Sequence, residues 1–198
     1  MIPVPEMVPA ALPSAFDAAT LRGLGVPHPR PFAIRHRPDA SLASPGIPHV
    51  NNLAFIAWMD RAADLHAAAL GYTRDGMAER DTAWFVGRHE ITYHAEAWPG
   101  DDLLVLTWID RMHRFTAERG VLVVRTAAAA DATGRPEAAM EADPSPGRII
   151  CRGRTSWVLV TLSTRRPRRH DPAMLAAFEP LHRTPPASTP EPAASSGP

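Results

Sequence analysis

Residues 48–71 read PHVNNLAFIAWMDRAADLHAAALG, and this stretch decides the fold. It opens on a polar cluster, His49-Val50-Asn51-Asn52, and its pattern predicts about five turns of helix at 3.6 residues per turn, ending at Gly71. Phe55, Met59, Ala62, Ala63, Leu65, Ala69 and Leu70 recur at three- and four-residue steps, which describes a helix with a broad buried face. Asn51 or Asn52 suits the N-cap, because a short side-chain oxygen accepts from an otherwise unpaired backbone N–H. Gly71 suits a left-handed C-cap. Asp60 and Asp64 are one turn apart, so their carboxylates lie to nearly the same side.

Working outward from the helix, residues 31–38 (PFAIRHRP) alternate apolar and polar between prolines and read as a first strand. Residues 39–48 (DASLASPGIP) read as a loop. Beyond the helix come four strand signals, over 82–93, 102–110, 115–128 and 148–164. Short turns join the first three, and a polar, Pro- and Gly-punctuated connection at 129–147 precedes the last. Residues 1–30 are a Pro/Ala-rich extension with a possible helix over 15–24 capped by Ser14, either packed on the domain or partly mobile. The domain proper spans 31–170. Residues 171–198 hold a short helix at 172–181, capped by Asp171 with Pro172 at its first turn, and then a Pro/Ala/Ser/Thr tail expected to be disordered. One long apolar helix with about five antiparallel strands is an α+β fold, in which a curved sheet wraps the helix.

Composition narrows the chemistry. The 198 residues carry 21 basic and 21 acidic side chains, so no net charge draws the chain to nucleic acid or an anionic membrane. Every basic residue is Arg, which removes lysine Schiff-base and Walker-type chemistry. The lone Cys151 rules out an intrachain disulfide and a multi-Cys zinc site, and its strand neighbours make it a buried thiol. His89 and His94 do not have a metal spacing, and there is no HExxH, so no metal is expected. The absence of a secretory signal or a run of ~20 apolar residues predicts a cytoplasmic protein.

Three blocks, in order, resemble the hot-dog thioesterase superfamily, in its 4-hydroxybenzoyl-CoA and acyl-CoA thioesterase-like branch. PHVNNLAFIAWMDRAA is similar to the signature GHVNN-xx-aromatic-xxxx-acid-Arg-Ala. HEITYHAEAWPGDDLLVLTWID is similar to its strand-turn-strand, and GRTSWVLVTLSTRRPRR to its closing strand. Together they span about residues 32–169. The resemblance implies the hot-dog fold, hydrolysis of an acyl-CoA or acyl-carrier-protein thioester, active sites at a subunit interface, and a homodimer or dimer of dimers. It implies no cofactor beyond the coenzyme A of the substrate.

Thioester hydrolysis needs a carboxylate to activate water or attack directly, and N–H donors where the carbonyl oxygen becomes negative. A helix N-terminus supplies the donors, here around Val50–Leu53. The family pattern Asp-x-x-Gly-His-Val-Asn-Asn has its Asp at Pro45 and its Gly at Pro48 in this chain. Three outcomes stay open. Asp39 is the family acid displaced along a longer loop; Asp60 on the helix is the base, helped by burial beside Trp58 and Met59; or hydrolysis is lost. Asp39, His49, Asn51, Asn52 and Asp60 are therefore the catalytic candidates, and Asp64 reads as an ordinary helix acid. Val50, Leu53, Phe55, Tyr93, His94 and Arg88 are the substrate-lining candidates. Arg111, Arg114, Arg152 and Arg154 are further cations able to meet coenzyme A phosphates. The competing readings are a non-catalytic hot-dog protein that binds an acyl thioester, and a hot-dog dehydratase or hydratase.

Overall fold

A computed structural model describes residues 6–127 and 147–183. The expected helix is α2 (Asn52–Ala69), capped at Asn51, whose side chain accepts from the Leu53 N–H at 2.9 Å. Gly71 takes the left-handed conformation just beyond it. The strands expected around it are β2 (Phe32–His36), β5 (Thr82–Tyr93), β6 (Asp102–Met112), β7 (Thr116–Ala127) and β8 (Arg148–Thr161).

These strands form one antiparallel sheet, and a sixth strand, β1 (Met7–Ala10), pairs with β2 at its edge. The spatial order is β1-β2-β6-β7-β8-β5, with a two-residue β9 (His182–Arg183) parallel to β6. All five expected strands are present, and one edge strand is added to them. The extra edge strand comes from the extension, where Pro9 is tolerated because an edge has no second ladder to feed. The expected helix at 15–24 is α1 (Ala18–Gly23), capped by Asp17 rather than Ser14. The loop at 39–48 contains a 3₁₀ turn (Ala40–Leu42) and a small hairpin, β3 (Ala43–Ser44) with β4 (Ile47–Val50), turning at Gly46 with positive φ. Two further short helices lie among the described residues: α3 (Arg74–Glu79), capped by Thr73, and α4 (Pro172–Ala177), capped by Asp171 and shorter than expected. Most of the 129–147 connection and the Pro/Ala/Ser/Thr tail lie outside the described residues.

Strand alternation divides the sheet into two faces. The helix face buries Leu103, Val105, Val121, Val123 and Cys151 against Ala54, Phe55, Trp58, Met59 and Ala62 of α2. The opposite face buries Leu104, Leu106, Trp108, Leu122 and Val124 against Phe16, Leu21 and Val26. The extension is thus a packed cover over the outer face, and Arg152 fastens it by donating to the Leu24 carbonyl at 2.6 Å. A third cluster, with Ile109, Met112, Leu159, Met174 and Phe178, closes the far end of the helix. Cys151 is fully buried, and burial pushes its thiol up to about 12. Among the described residues, no helix is long and apolar enough to cross a membrane.

Trp108 and Gly120 are cross-strand partners on β6 and β7, and the indole lies over the glycine. A Cβ at position 120 would meet the ring at 2.4 Å. Gly120→Ala is expected to cost about 1–3 kcal/mol by overpacking. A thermal melt should therefore fall by several degrees, and an unchanged melting temperature would contradict this packing.

Candidate functional site

The polar opening of α2 is the first part of the site. Of the four N–H groups at residues 50–53, three are already in use. Val50 donates to the Ala97 carbonyl at 2.8 Å, Asn51 to Leu42 at 2.8 Å, and Leu53 to the Asn51 side chain. The Asn52 N–H makes no hydrogen bond among the described residues. It lies at the positive end of an 18-residue helix and on an exposed residue. The Tyr93 hydroxyl reaches the Asn52 carbonyl at 3.3 Å, which brings the end of β5 to the helix start. His49 is half-buried, and its Nδ1 is 3.0 Å from the Val50 carbonyl. A carbonyl only accepts, so Nδ1 carries a proton and donates to it.

Asp39 is ten residues upstream of His49, yet the chain folds back. It caps the 3₁₀ turn whose last residue, Leu42, accepts from the Asn51 N–H, and β3 pairs Ala43 with Val50. The extra loop residues are taken up in the hairpin, and the turn carrying Asp39 is hydrogen-bonded to the cap of α2. The Asp39 carboxylate is exposed and accepts from the Ser41 N–H at 2.7 Å. The hydrogen bonds from Ser41 hold its carboxyl below the ordinary aspartate range.

Asp60 is elsewhere. Eight residues along α2 separate it from Asn52, about 12 Å at the helical rise. Trp58 and Met59 are buried as expected, but Asp60 itself is not buried beside them. Its carboxylate is 40% exposed and 2.8 Å from Arg74 Nη2, while Asp64 is 2.7 Å from Arg74 Nε. The expectation that the two acids share a side is met, and one guanidinium holds both. Asp60 and Asp64 form part of the wall of a cavity of about 540 Å³ between α2 and the sheet. Ala63 and Ala67 continue the helix wall, Trp84, Ile109, Met112 and Trp157 line the sheet side, and Tyr72 and Phe178 close the end.

The other candidates are dispersed. Phe55 is 2% exposed, packed edge-on to Tyr93 and tilted against Trp58. Val50 is buried and Leu53 is 57% exposed beside the cap. Burial raises the Tyr93 phenol above its ordinary value. His94 is exposed just past β5, where its N–H donates to Ile150. Arg88 is exposed and paired with Glu90, Arg114 is over the Phe115 ring, and Arg152 holds the extension. Among the described residues, no three His, Cys, Asp or Glu side chains are grouped to hold a metal ion.

The sequence reading missed three residues around the cavity. Arg74 was hidden because α3 was not recognised. His66 is on α2 behind the cavity, stacked on Phe32 at 5.0 Å. Arg119 on β7 lines the cavity with only 4% of its surface exposed. Its Nη1 donates to Thr107 Oγ1 and to His66 Nδ1, each at 3.0 Å. Strand parity could have found it, since Ala117, Arg119, Val121 and Val123 alternate onto the face that meets α2.

Comparison with known proteins agrees with this architecture. A family model described as thioesterase-like superfamily matches residues 47–178. A comparison with curated proteins finds no match. Among solved structures, a provisionally named oleoyl thioesterase from Lactobacillus plantarum aligns with TM-score 0.63 and 14% identity, covering 85% of this chain and 58% of that one. This chain thus spans little more than half of that protein's length. A 1,4-dihydroxy-2-naphthoyl-CoA thioesterase from Synechocystis aligns with TM-score 0.60 and 16% identity over 76% of this chain and 97% of its own. A thioesterase superfamily protein from Jannaschia sp. CCS1 gives TM-score 0.61 and 18% identity over 88% and 96%. At these identities the structures speak for the shared hot-dog fold, and the family match covers about two thirds of the residues. The chain belongs to the thioesterase-like superfamily.

Proposed function

We propose that the chain hydrolyses an acyl thioester of coenzyme A or of an acyl-carrier protein, with its carbonyl polarised at the start of α2. The observation that carries this is the Asn52 N–H at the helix N-terminus, which has no hydrogen-bond partner among the described residues and lies next to Tyr93 and His49. A donor there answers the negative charge that develops on the carbonyl oxygen, and one such donor is worth roughly 3 kcal/mol of barrier. Asp39 is the carboxylate in this reading, either taking a proton from water as it attacks or attacking the carbonyl itself. The carbon–sulfur bond then breaks, and the departing thiolate takes up a proton to leave as the thiol. The reaction uses water and no cofactor beyond the coenzyme A of the substrate. Asn51 holds the helix start in place, and His49 Nε2 is available to orient water.

The cavity and the Asn52 N–H belong to different stretches of α2, and in this reading the working site is assembled from two copies of the chain. The outer edge of β5 supports this: it has no strand partner among the described residues, and Phe85, Val86 and Tyr93 are exposed along it. Light scattering should show a homodimer. The extension covers the outer sheet face, so a dimer of dimers would have to form elsewhere.

The test is thiol release from a panel of acyl-CoAs, aryl-CoAs and an acyl-carrier protein. Cys151 is buried and its thiol is held protonated, so the enzyme adds little background signal. Turnover on at least one ester class is expected. No turnover on any would overturn hydrolysis and leave the non-catalytic reading, which the Pro45 and Pro48 substitutions in the signature favour.

A further inference from the structure

Among the described residues, Arg119 is the one charged side chain of the cavity wall without an ion-pair partner. Asp60 and Asp64 are both held by Arg74, and no carboxylate of a described residue lies within ion-pair distance of Arg119. Only its Nη1 is engaged, by Thr107 and His66, and among the described residues its Nε and Nη2 make no hydrogen bond. The His66 contact sets the charge pattern. A guanidinium only donates, so His66 Nδ1 accepts and the imidazole is neutral. Burial, followed by the Arg119 charge and His28, pushes the His66 imidazole down to about 3, so it does not compete as a second cation.

A buried cation lacking a counter-ion carries an uncompensated desolvation penalty. Burial lowers the Arg119 guanidinium to about 10, and Asp64 only partly opposes this. The remaining N–H groups have the fork geometry that matches a carboxylate by two parallel hydrogen bonds. Apart from the Arg74 clamp on Asp60 and Asp64 and the Tyr72 ring, the wall is apolar, with Ala63, Ala67, Trp84, Ile109, Met112 and Trp157, which suits methylenes.

We propose that the cavity receives the acyl group of a half-thioester of a dicarboxylic acid, with Arg119 binding the free carboxylate at its far end. This rests on the thioester reading for the nature of the ester, but the recognition of the far end is tested without it. Arg119 is then a specificity-determining residue and takes no part in bond breaking.

Octanoyl-CoA and suberoyl-CoA have the same carbon count and differ in the terminal carboxylate, and 8-hydroxyoctanoyl-CoA supplies a neutral acceptor. The dimeric full chain should hydrolyse suberoyl-CoA with kcat/KM roughly tenfold or more above octanoyl-CoA, mainly through KM, as expected for a hydrogen-bonded charge pair. Arg119→Met should bring that ratio to about one, and Arg119→Lys should keep its direction at a smaller size. An absent preference in the natural chain, equal rates for the hydroxy and carboxy esters, or a preference that persists in Arg119→Met would each overturn the proposal. If no ester is hydrolysed, the same pairs are titrated against the fluorescence of Trp84 and Trp157. Tighter binding of suberoyl-CoA that Arg119→Met abolishes would sustain the proposal while hydrolysis falls; equal binding would overturn it. If Arg119→Met does not fold, the ratio in the natural chain and in Arg119→Lys decides.

Discussion

Asp39→Asn is expected to lower kcat on the best acyl thioester by about 10²–10⁴, the usual contribution of a positioned carboxylate. The substitution removes the negative charge and proton affinity but keeps an oxygen where Ser41 N–H donates at 2.7 Å. The side chain is exposed, so the melting temperature should stay within a degree or two of the natural chain. Asp60→Asn is the contrasting variant. It loosens one arm of the Arg74 clamp and should change kcat far less. The pH profile adds an independent reading. Hydrolysis needs the ionised carboxylate, and the hydrogen bonds from Ser41 favour that form, so protonation is displaced to lower pH. The acid limb of kcat/KM should accordingly lie below the ordinary aspartate value, with activity level through weakly acidic pH. Full rate in Asp39→Asn, with a large loss in Asp60→Asn, would transfer the base role to the helix. Full rate in both would remove both acids from the mechanism.

The parts of this architecture legible in sequence are those where local pattern and tertiary need agree. α2 was legible because its apolar spacing, its Asn51 cap and Gly71 all mark the same segment. β5 was legible because TAWFVGRHEITY is aromatic and β-branched between clear breaks. The β3–β4 hairpin was not, because Pro45 and Pro48 mask six strand residues that pair beside the start of α2. α3 has a single turn and a half with Gly76 inside, so propensity gave it no signal, and its formation rests on the Thr73 cap and the burial of Met77. With α3 unseen, the clamp of Arg74 on Asp60 and Asp64 was invisible, and Asp60 looked freer than it is. At the helix start the residue types were legible. That, of the four donors at 50–53, the Asn52 N–H is the one left without a partner among the described residues was not, since Ala97 and Leu42 take the neighbouring donors from outside the helix.

Acid should destabilise the fold well above the pH at which most of its carboxylates titrate, and His66 is the main cause. Its ring is stacked on Phe32, meets Phe178 edge-on at 5.9 Å, and accepts from Arg119, so protonation would place a cation against a buried guanidinium. Burial is the largest cause of its depression to about 3, followed by Arg119 and His28. In the unfolded chain a histidine titrates near 6.5. The unfolded state therefore binds the proton first, and stability present above pH ~6.5 is lost as the pH falls toward ~3, at up to ~1.4 kcal/mol per pH unit. Burial lowers His36 and His170 as well, which adds the same sign. Hydrogen bonds to Asp17, Asp39 and Asp81 hold their carboxyls below the ordinary aspartate value, so their contribution is lost only at the acid end of this range. Denaturant unfolding between pH 7 and 4.5 should show stability falling steadily in the natural chain. His66→Asn offers its side-chain oxygen to Arg119 but has no proton to gain. It should be less stable at pH 7, because the stacking on Phe32 is lost, yet its stability should fall more shallowly with acid. Equal slopes in the two proteins would show that His66 accepts a proton in the folded state as readily as in the unfolded one, and that its contact with Arg119 does not oppose charging.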